Sequence, residues 1–335
     1  MNPPDADVLI LALDRAEETV AAIASALAQT GLTRHVFVID QGSGAETLAR
    51  LRAAVAGRAD ATLIQGGWNR GVAGGRNLGA SLGQGRVIVA LDNDAEFADE
   101  TTLARAVAAL DAAPALGAIG FRIVTHADGT DDLSSWGYPR PLLTRSAGSF
   151  EAATFVGAGH AIRRTAWAEA GGYDAALFFC WEEFDFSLRA IEAGWRIEYR
   201  GDLVVRHKVS AEQRVTWSDT RWFYFVRNRI YIARKWGAGP WVLVPRMAGY
   251  LLRGLRNRMP VPTLRALVAA WRMPVEPRCM SEPMLAYLRR NDTAHRGGAY
   301  TRMRNEILAR LPGVRNKVGN GPVQKSAGPL PTFGR

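Results

Sequence analysis

Cysteine is scarce in this chain of 335 residues. Cys180 and Cys279 are the only two, which is no disulfide framework, and neither stands in a nucleophile pattern. Long apolar runs are missing too: the stretch from Trp241 to Leu252 is too short and too charged to span a bilayer, which takes ~20 apolar residues. The start, Met1-Asn2-Pro3-Pro4-Asp5, has no basic segment followed by an apolar one, so a cytosolic protein is expected. No repeat at solenoid spacing occurs. The Gly-rich stretch from Gly66 to Gly79 matches neither the G-x-G-x-x-G dinucleotide fingerprint nor a phosphate loop, since no Gly-Lys-Ser/Thr follows it. A formal charge of +10 invites nucleic acid as a partner, but no nucleic-acid module accompanies it.

What is present is an alternation of short apolar runs and helical patterns. Val8 to Leu13 precedes a helix from Glu17 to Gln29. His35 to Ile39 precedes one from Ala45 to Ala56. A strand from Ala61 to Ile64 leads into the Gly-rich stretch, and Val87 to Leu91 forms a fourth strand. Such alternation predicts an α/β fold with a mainly parallel sheet flanked by helices and right-handed crossovers. Ligands bind at the carboxyl edge of such sheets, where Asp14, Asp40, the Gly-rich loop and Asp92 would gather.

Asp92-Asn93-Asp94 leaves that fourth strand with two carboxylates one residue apart. Hard oxygen donors beside a crevice suit Mg²⁺ or Mn²⁺, and through it a nucleotide's phosphates; capping of the next helix fits the same residues. Arg76 and Asn77 offer donors beside the glycines. Further on, Phe184, Leu188, Ile191 and Trp195 mark one face of a helix that Gly194 ends. Glu182 and Glu183 fall at its N-terminus, where the helix dipole favours an ionised carboxylate able to act as a general base. Asp185 and Arg189 fit an i, i+4 ion pair.

These motifs follow one another as Asp40-x-Gly42-Ser43, Asn69-x-Gly71, Arg76-Asn77-x-Gly79, Asp92-x-Asp94, Gly171-Gly172-Tyr173-Asp174, Glu182-Glu183-x-Asp185-x-x-x-Arg189 and His207. That order, spanning roughly residues 8 to 235, resembles family 2 inverting glycosyltransferases, in particular the rhamnosyltransferase-like branch. The resemblance implies a GT-A catalytic domain over 1–235; the composition beyond it predicts a basic helical extension over 236–311 and, where Gly, Pro, Asn and Lys dominate, a disordered tail over 312–335. It implies that Asp40 contacts the nucleobase, with Asp14, Asn69, Arg76, Asn77 and Asp92 on the nucleotide. Asp94, with Asp92 and His207, would hold Mn²⁺ or Mg²⁺. Glu183 matches the catalytic base, with Glu182 and Asp185 beside it, and Gly159, His160 and Trp181 fall on the acceptor side. The first strand ends Ala12-Leu13-Asp14-Arg15 where the family often has Thr-Tyr-Asn-Arg, so no aromatic from this segment stacks on the base. Glu183 is one methylene longer than the usual Asp.

The activity so implied is metal-assisted transfer from a nucleoside-diphosphate sugar, UDP- or dTDP-linked, to a saccharide or lipid-linked acceptor. Two other classes use similar residues. A haloacid-dehalogenase-type phosphatase also has paired aspartates, though after its first strand, and a non-catalytic sugar-nucleotide binder need not keep Glu182, Glu183 and Asp185. Basic residues crowd the chain from Arg221 onward. Around Trp241 to Arg258 they flank apolar positions, a pattern that fits either an anionic membrane surface met from the cytoplasm or a helix packed on the catalytic domain.

Overall fold

The computed structural model describes residues 3–208 and 217–298. The tail expected from 312 and the last part of the extension lie outside these residues. The four expected strands form as β1 (Ala6–Ala12), β2 (Arg34–Asp40), β3 (Ala61–Gln65) and β4 (Val87–Leu91), all mutually parallel in the order β3-β2-β1-β4. Their crossovers are α1 (Ala16–Leu27), α2 (Ala45–Val55) and α3 (Gly71–Leu82). β1 and β4 are buried at nearly every position, which explains why they read as unbroken apolar runs.

Beyond β4 the sheet changes character. β5 (Ala95–Phe97), α4 (Thr102–Ala112), β6 (Leu116–Thr125), β7 (Ser149–Glu151), β8 (Gly159–Arg163), α5 (Arg164–Ala170), α6 (Glu182–Glu192) and β9 (Arg196–His207) follow in turn. The nine strands form one sheet that continues from β4 as β8-β6-β9-β5, with β7 also on β9. β8 is antiparallel to both neighbours, and β6 and β9 run parallel. The sheet is mixed and mostly parallel, as expected for the fold class.

Two registers position the site. β4 against β8 pairs Leu91 with Gly159, and β5 against β9 pairs Ala95 with His207. The second brings His207 beside the Asp92-Asn93-Asp94 turn, more than a hundred residues away in sequence.

Four more helices complete the described chain: α7 (Asp219–Lys235), α8 (Pro240–Arg256), α9 (Pro260–Arg272) and α10 (Glu282–Asn291). α7 serves two layers. Tyr231 and Ile232 join the core beneath α6, while Trp222, Val226 and Ile230 form a separate core with Tyr250 of α8 and Ala266, Leu267 and Ala270 of α9. Trp222 Nε1 donates to Thr263 Oγ1 at 2.7 Å inside that core. No helix among the described residues is long and apolar enough to cross a membrane.

Candidate active site

Asp92 and Asp94 emerge where β4 ends. His207, at the end of β9, completes a group in which one ligand atom from each of the three lies within 4.8 Å of the others. His207 Nε2 is 3.2 Å from Asp94 Oδ1, and its Nδ1 is 2.9 Å from Asp132 Oδ2. Asp132 is buried and accepts further bonds from Ser134 and Ser135. Burial alone would lower the His207 pKa, but the hydrogen bonds to Asp132 and Asp94 raise it to about 10. Burial likewise opposes charge on Asp94, yet His207 and Arg15 hold its pKa below the ordinary value.

Arg15 reaches this group from the turn after β1, with Nη1 2.5 Å from Asp94 Oδ2. Asp14 and Arg15 both have φ of 54°, rare for residues with a Cβ. The turn is fastened by Asp14 Oδ1, which accepts from Gly44 N, and by Ser43 Oγ, which accepts from Asp14 N. Arg15 and protonated His207 thus place positive charge where a divalent cation would sit. The donor set fits Mn²⁺ or Mg²⁺: two hard carboxylates and an imidazole whose far nitrogen is oriented by a carboxylate.

The second half of the site is built on Arg76. Its guanidinium is buried, with Nη1 2.7 Å from Glu183 Oε1 and Nη2 both 2.9 Å from Asp92 Oδ1 and 2.7 Å from the Gly157 carbonyl. Burial works against this charge, but Asp92 and Glu183 hold the guanidinium protonated. A Cβ at Gly157 would lie 2.6 Å from Glu183 Oε1, so a side chain there would displace that carboxylate from its place on Arg76. Burial raises the Glu183 pKa and Arg76 opposes the rise. A carboxylate whose pKa is raised binds a proton more strongly, which suits a proton acceptor. Glu182 is deeper, 3% exposed, with Oε2 unbonded; burial first, then the charge of Glu183, pushes its pKa well above the ordinary range.

The segment that delivers both glutamates is strained. Phe178, Cys180 and Trp181 have φ of 61°, 70° and 74°. Phe178 O accepts from Val72 N at 2.7 Å, and a side chain at Gly71 would collide with Phe178. Asn228, fully buried on α7, donates to the carbonyls of Leu177, Phe179 and Cys180 at 2.8–2.9 Å.

The remaining expected residues divide. Asp40 is buried and caps its own loop, accepting from Gly42 N and Ser43 N. Asn69 Oδ1 accepts from Gly71 N at 2.7 Å, shaping the turn into α3. Four placements correct the reading from sequence. Asn77 bonds the backbone N–H and carbonyl of Tyr173, so its amide fastens α3 to that turn and is not open to a nucleotide. His160 is 1% exposed and saturated by Val156 O and Tyr173 Oη; burial lowers its pKa well below the usual value, and it presents nothing to an acceptor. Gly159 is buried under Val205 and Phe121. Asp185 is 0% exposed and bonded to Arg189 and Lys235, away from Arg76. Trp181 is half-buried, donating to Phe225 O with the Arg229 guanidinium over its ring. Neither Arg15 nor Asp132 was expected at the cation group: Asp132 falls in the segment from Thr125 to Ala153, which reads from sequence as an acceptor loop, and Arg15 stands where the resemblance also has Arg, the signal that could have pointed to it.

Comparison with known proteins agrees with this geometry. Residues 7–171 match the model of Glycosyl transferase family 2. The succinoglycan biosynthesis protein ExoO of Rhizobium meliloti (strain 1021) is 37% identical over 135 residues, an alignment that spans 38% of this chain and 38% of ExoO. Among solved structures, the mannosyltransferase PcManGT from Pyrobaculum calidifontis, in complex with GDP-Man and Mn²⁺, superposes with a TM-score of 0.55 at 19% identity, covering 92% of this chain and 86% of that one. GalNAc-T7 with UDP, GalNAc and Mn²⁺ gives a TM-score of 0.60 at 15% identity, over 92% of this chain and 57% of its own. Residues 7–171 are therefore similar to Glycosyl transferase family 2, and the chain has the GT-A fold.

Proposed function

We propose that the protein is an inverting glycosyltransferase of the rhamnosyltransferase-like branch, moving a sugar from a UDP- or dTDP-linked donor to a hydroxyl of a saccharide or lipid-linked saccharide. The observation that carries this reading is the bridge made by Arg76, which ties Asp92 of the cation group to Glu183. A base and a diphosphate site held by one guanidinium are what direct displacement needs.

In this reading residues 1–235 are the catalytic part, with Asp14 and Asp40 toward the nucleoside. Asp92, Asp94 and His207 hold Mn²⁺ or Mg²⁺, which when bound neutralises charge developing on the departing diphosphate. Arg15 is near enough to Asp94 to share that task. Glu183 accepts the proton of the acceptor hydroxyl as that oxygen attacks the anomeric carbon from the face opposite the diphosphate. The bond to the diphosphate breaks as the new bond forms, and the anomeric centre inverts. Glu182 lies beside the base, its pKa raised by burial and by the charge of Glu183.

The role of ExoO in succinoglycan biosynthesis supports a polysaccharide product. A lipid-linked acceptor would set the work at the cytoplasmic face of a membrane, with the protein bound peripherally. A phosphatase reading is weaker, since Asp92 and Asp94 are both engaged by arginines and neither is a free nucleophile. Thermal unfolding with UDP, dTDP and GDP, each with and without Mn²⁺, tests the reading, because tight binding raises the melting temperature by mass action. A rise with one diphosphate that requires Mn²⁺ is expected. No rise with any of them, or inorganic phosphate release from a phosphate ester, would overturn it.

A further inference from the structure

The helices α8 and α9 each pack one face and leave an apolar stripe on the other. On α8, Leu243, Tyr250 and Gly254 are buried, whereas Trp241 is 93% exposed and Val244, Ala248, Leu252 and Leu255 are exposed with it. At 100° per residue these five positions fall within an arc of about 80°. On α9, Thr263, Ala266, Leu267 and Ala270 are buried, and Val261, Leu264, Val268 and Trp271 form an exposed stripe within a similar arc of about 80°. The buried faces meet α7 and one another through Trp222, Tyr250, Met259 and Thr263, and α8 and α9 approach so closely that a Cβ at Gly254 would collide with Thr263. Neither stripe can turn inward without dismantling that core. The packed face and the apolar outer face therefore coexist.

The chemistry around the stripes is one-sided. No Asp or Glu occurs between Asp219 and Glu276. Arg256, Arg258, Arg265 and Arg272 are exposed at the ends and flanks of the stripes. Contiguous exposed apolar surface marks an interaction site, and its rim here is purely cationic. A second copy of this chain would bring the same arginines against these, whereas an anionic lipid surface complements both the charge and the apolar stripes.

We propose that the α8–α9 pair is a membrane-docking face that lies on an anionic bilayer surface, its stripes in the headgroup boundary and its arginines among lipid phosphates. The proposal deepens the peripheral-membrane part of the function proposed above and does not depend on the donor. α7 links this face to the site, since the same helix carries Asn228 against the strained turn before Glu182. Docking would hold that turn at a fixed position relative to the lipid surface, where a lipid-linked acceptor is presented.

The test is flotation of the full chain with vesicles of phosphatidylglycerol and phosphatidylcholine, or of phosphatidylcholine alone, at low and high salt. The protein should float with the anionic vesicles and release as salt rises. The triple variant Trp241→Ser, Leu255→Ser and Val268→Ser, which removes apolar atoms and no charge, should bind about tenfold more weakly, because buried apolar area sets interfacial affinity. Its Mn²⁺-dependent thermal shift with a nucleoside diphosphate should equal that of the wild type, which separates this proposal from the donor reading and confirms folding. Failure to float with anionic vesicles, or a folded variant that floats like the wild type, would overturn the proposal. So would a dimer in solution that the triple variant dissociates while vesicles bind neither form.

Discussion

Arg76 and Glu183 are 107 positions apart in the chain and meet at 2.7 Å, Nη1 to Oε1, inside the protein. The same guanidinium holds Asp92 at 2.9 Å. Removing it would leave carboxylates facing one another without a counter-charge. Arg76→Leu should therefore lose about 3–5 kcal/mol of stability, the usual cost of breaking a buried ion pair. Denaturant unfolding measures it. Arg76→Lys should fold better than the leucine variant, since it keeps the charge, but cannot serve Asp92, Glu183 and Gly157 O with one planar fork.

Glu182 sets a pH dependence. Its folded pKa is raised above the ordinary 4.5 by burial and by Glu183. The folded state then holds a proton that the unfolded state has released, so this residue's contribution to stability falls as pH rises from near 4.5 toward the raised value. Glu182→Gln removes the titrating group and keeps the shape. The variant should melt higher than the wild type at pH 8 and lose that advantage at pH 4.5. An advantage of equal size at both pH values would show that Glu182 is ionised in the fold.

Asp132 orients His207 through Nδ1 at 2.9 Å and stands behind the cation group. Asp132→Asn should weaken Mn²⁺ affinity by about 10–100-fold, the usual cost of losing such a partner, and Asp94→Ala should abolish metal-supported nucleotide binding altogether. Calorimetric titration with the nucleoside diphosphate, with and without Mn²⁺, separates the two. Equal metal dependence in Asp94→Ala and the wild type would remove Asp94 from the site.

Asn228 acts at a distance through the turn it clamps. Asn228→Asp keeps the size but turns a donor toward the carbonyls of Leu177, Phe179 and Cys180 into an acceptor. Displacing the glutamates by an ångström can cost about 10²-fold in rate. The expected signature is a fall in kcat with the donor dissociation constant preserved. Equal losses in both would mark Asn228 as general scaffolding.

Much of this site was legible in sequence because it stands at strand ends and helix starts. Asp92 and Asp94 directly follow an apolar strand, and Glu182 and Glu183 directly open an amphipathic helix whose period is visible. Local pattern was enough for both. Partnerships set by register were not legible: nothing local says that Ala95 pairs with His207, or that Asp132 meets its ring. Asn77 and His160 misled for the same reason, since an amide or imidazole near motif residues looks available until the backbone of Tyr173 or the core around Val156 and Tyr173 consumes its hydrogen bonds. The α9 stripe was missed because Thr263, Ala266 and Ala270 make its buried face weakly apolar, so the pattern shows no contrast until packing reveals which side is covered.

The assignment of Glu183 as base is tested most directly by the transfer rate and donor dissociation constant of Glu183→Gln beside Glu182→Gln. The amide keeps the shape and a hydrogen bond to Arg76 but cannot accept a proton. Glu183→Gln should keep donor affinity and lose about 10²–10⁴-fold in Mn²⁺-dependent transfer, the usual worth of a general base, while Glu182→Gln stays within about tenfold of the wild type. Near-normal transfer by Glu183→Gln, with Glu182→Gln inactive, would contradict the account and move the base to Glu182.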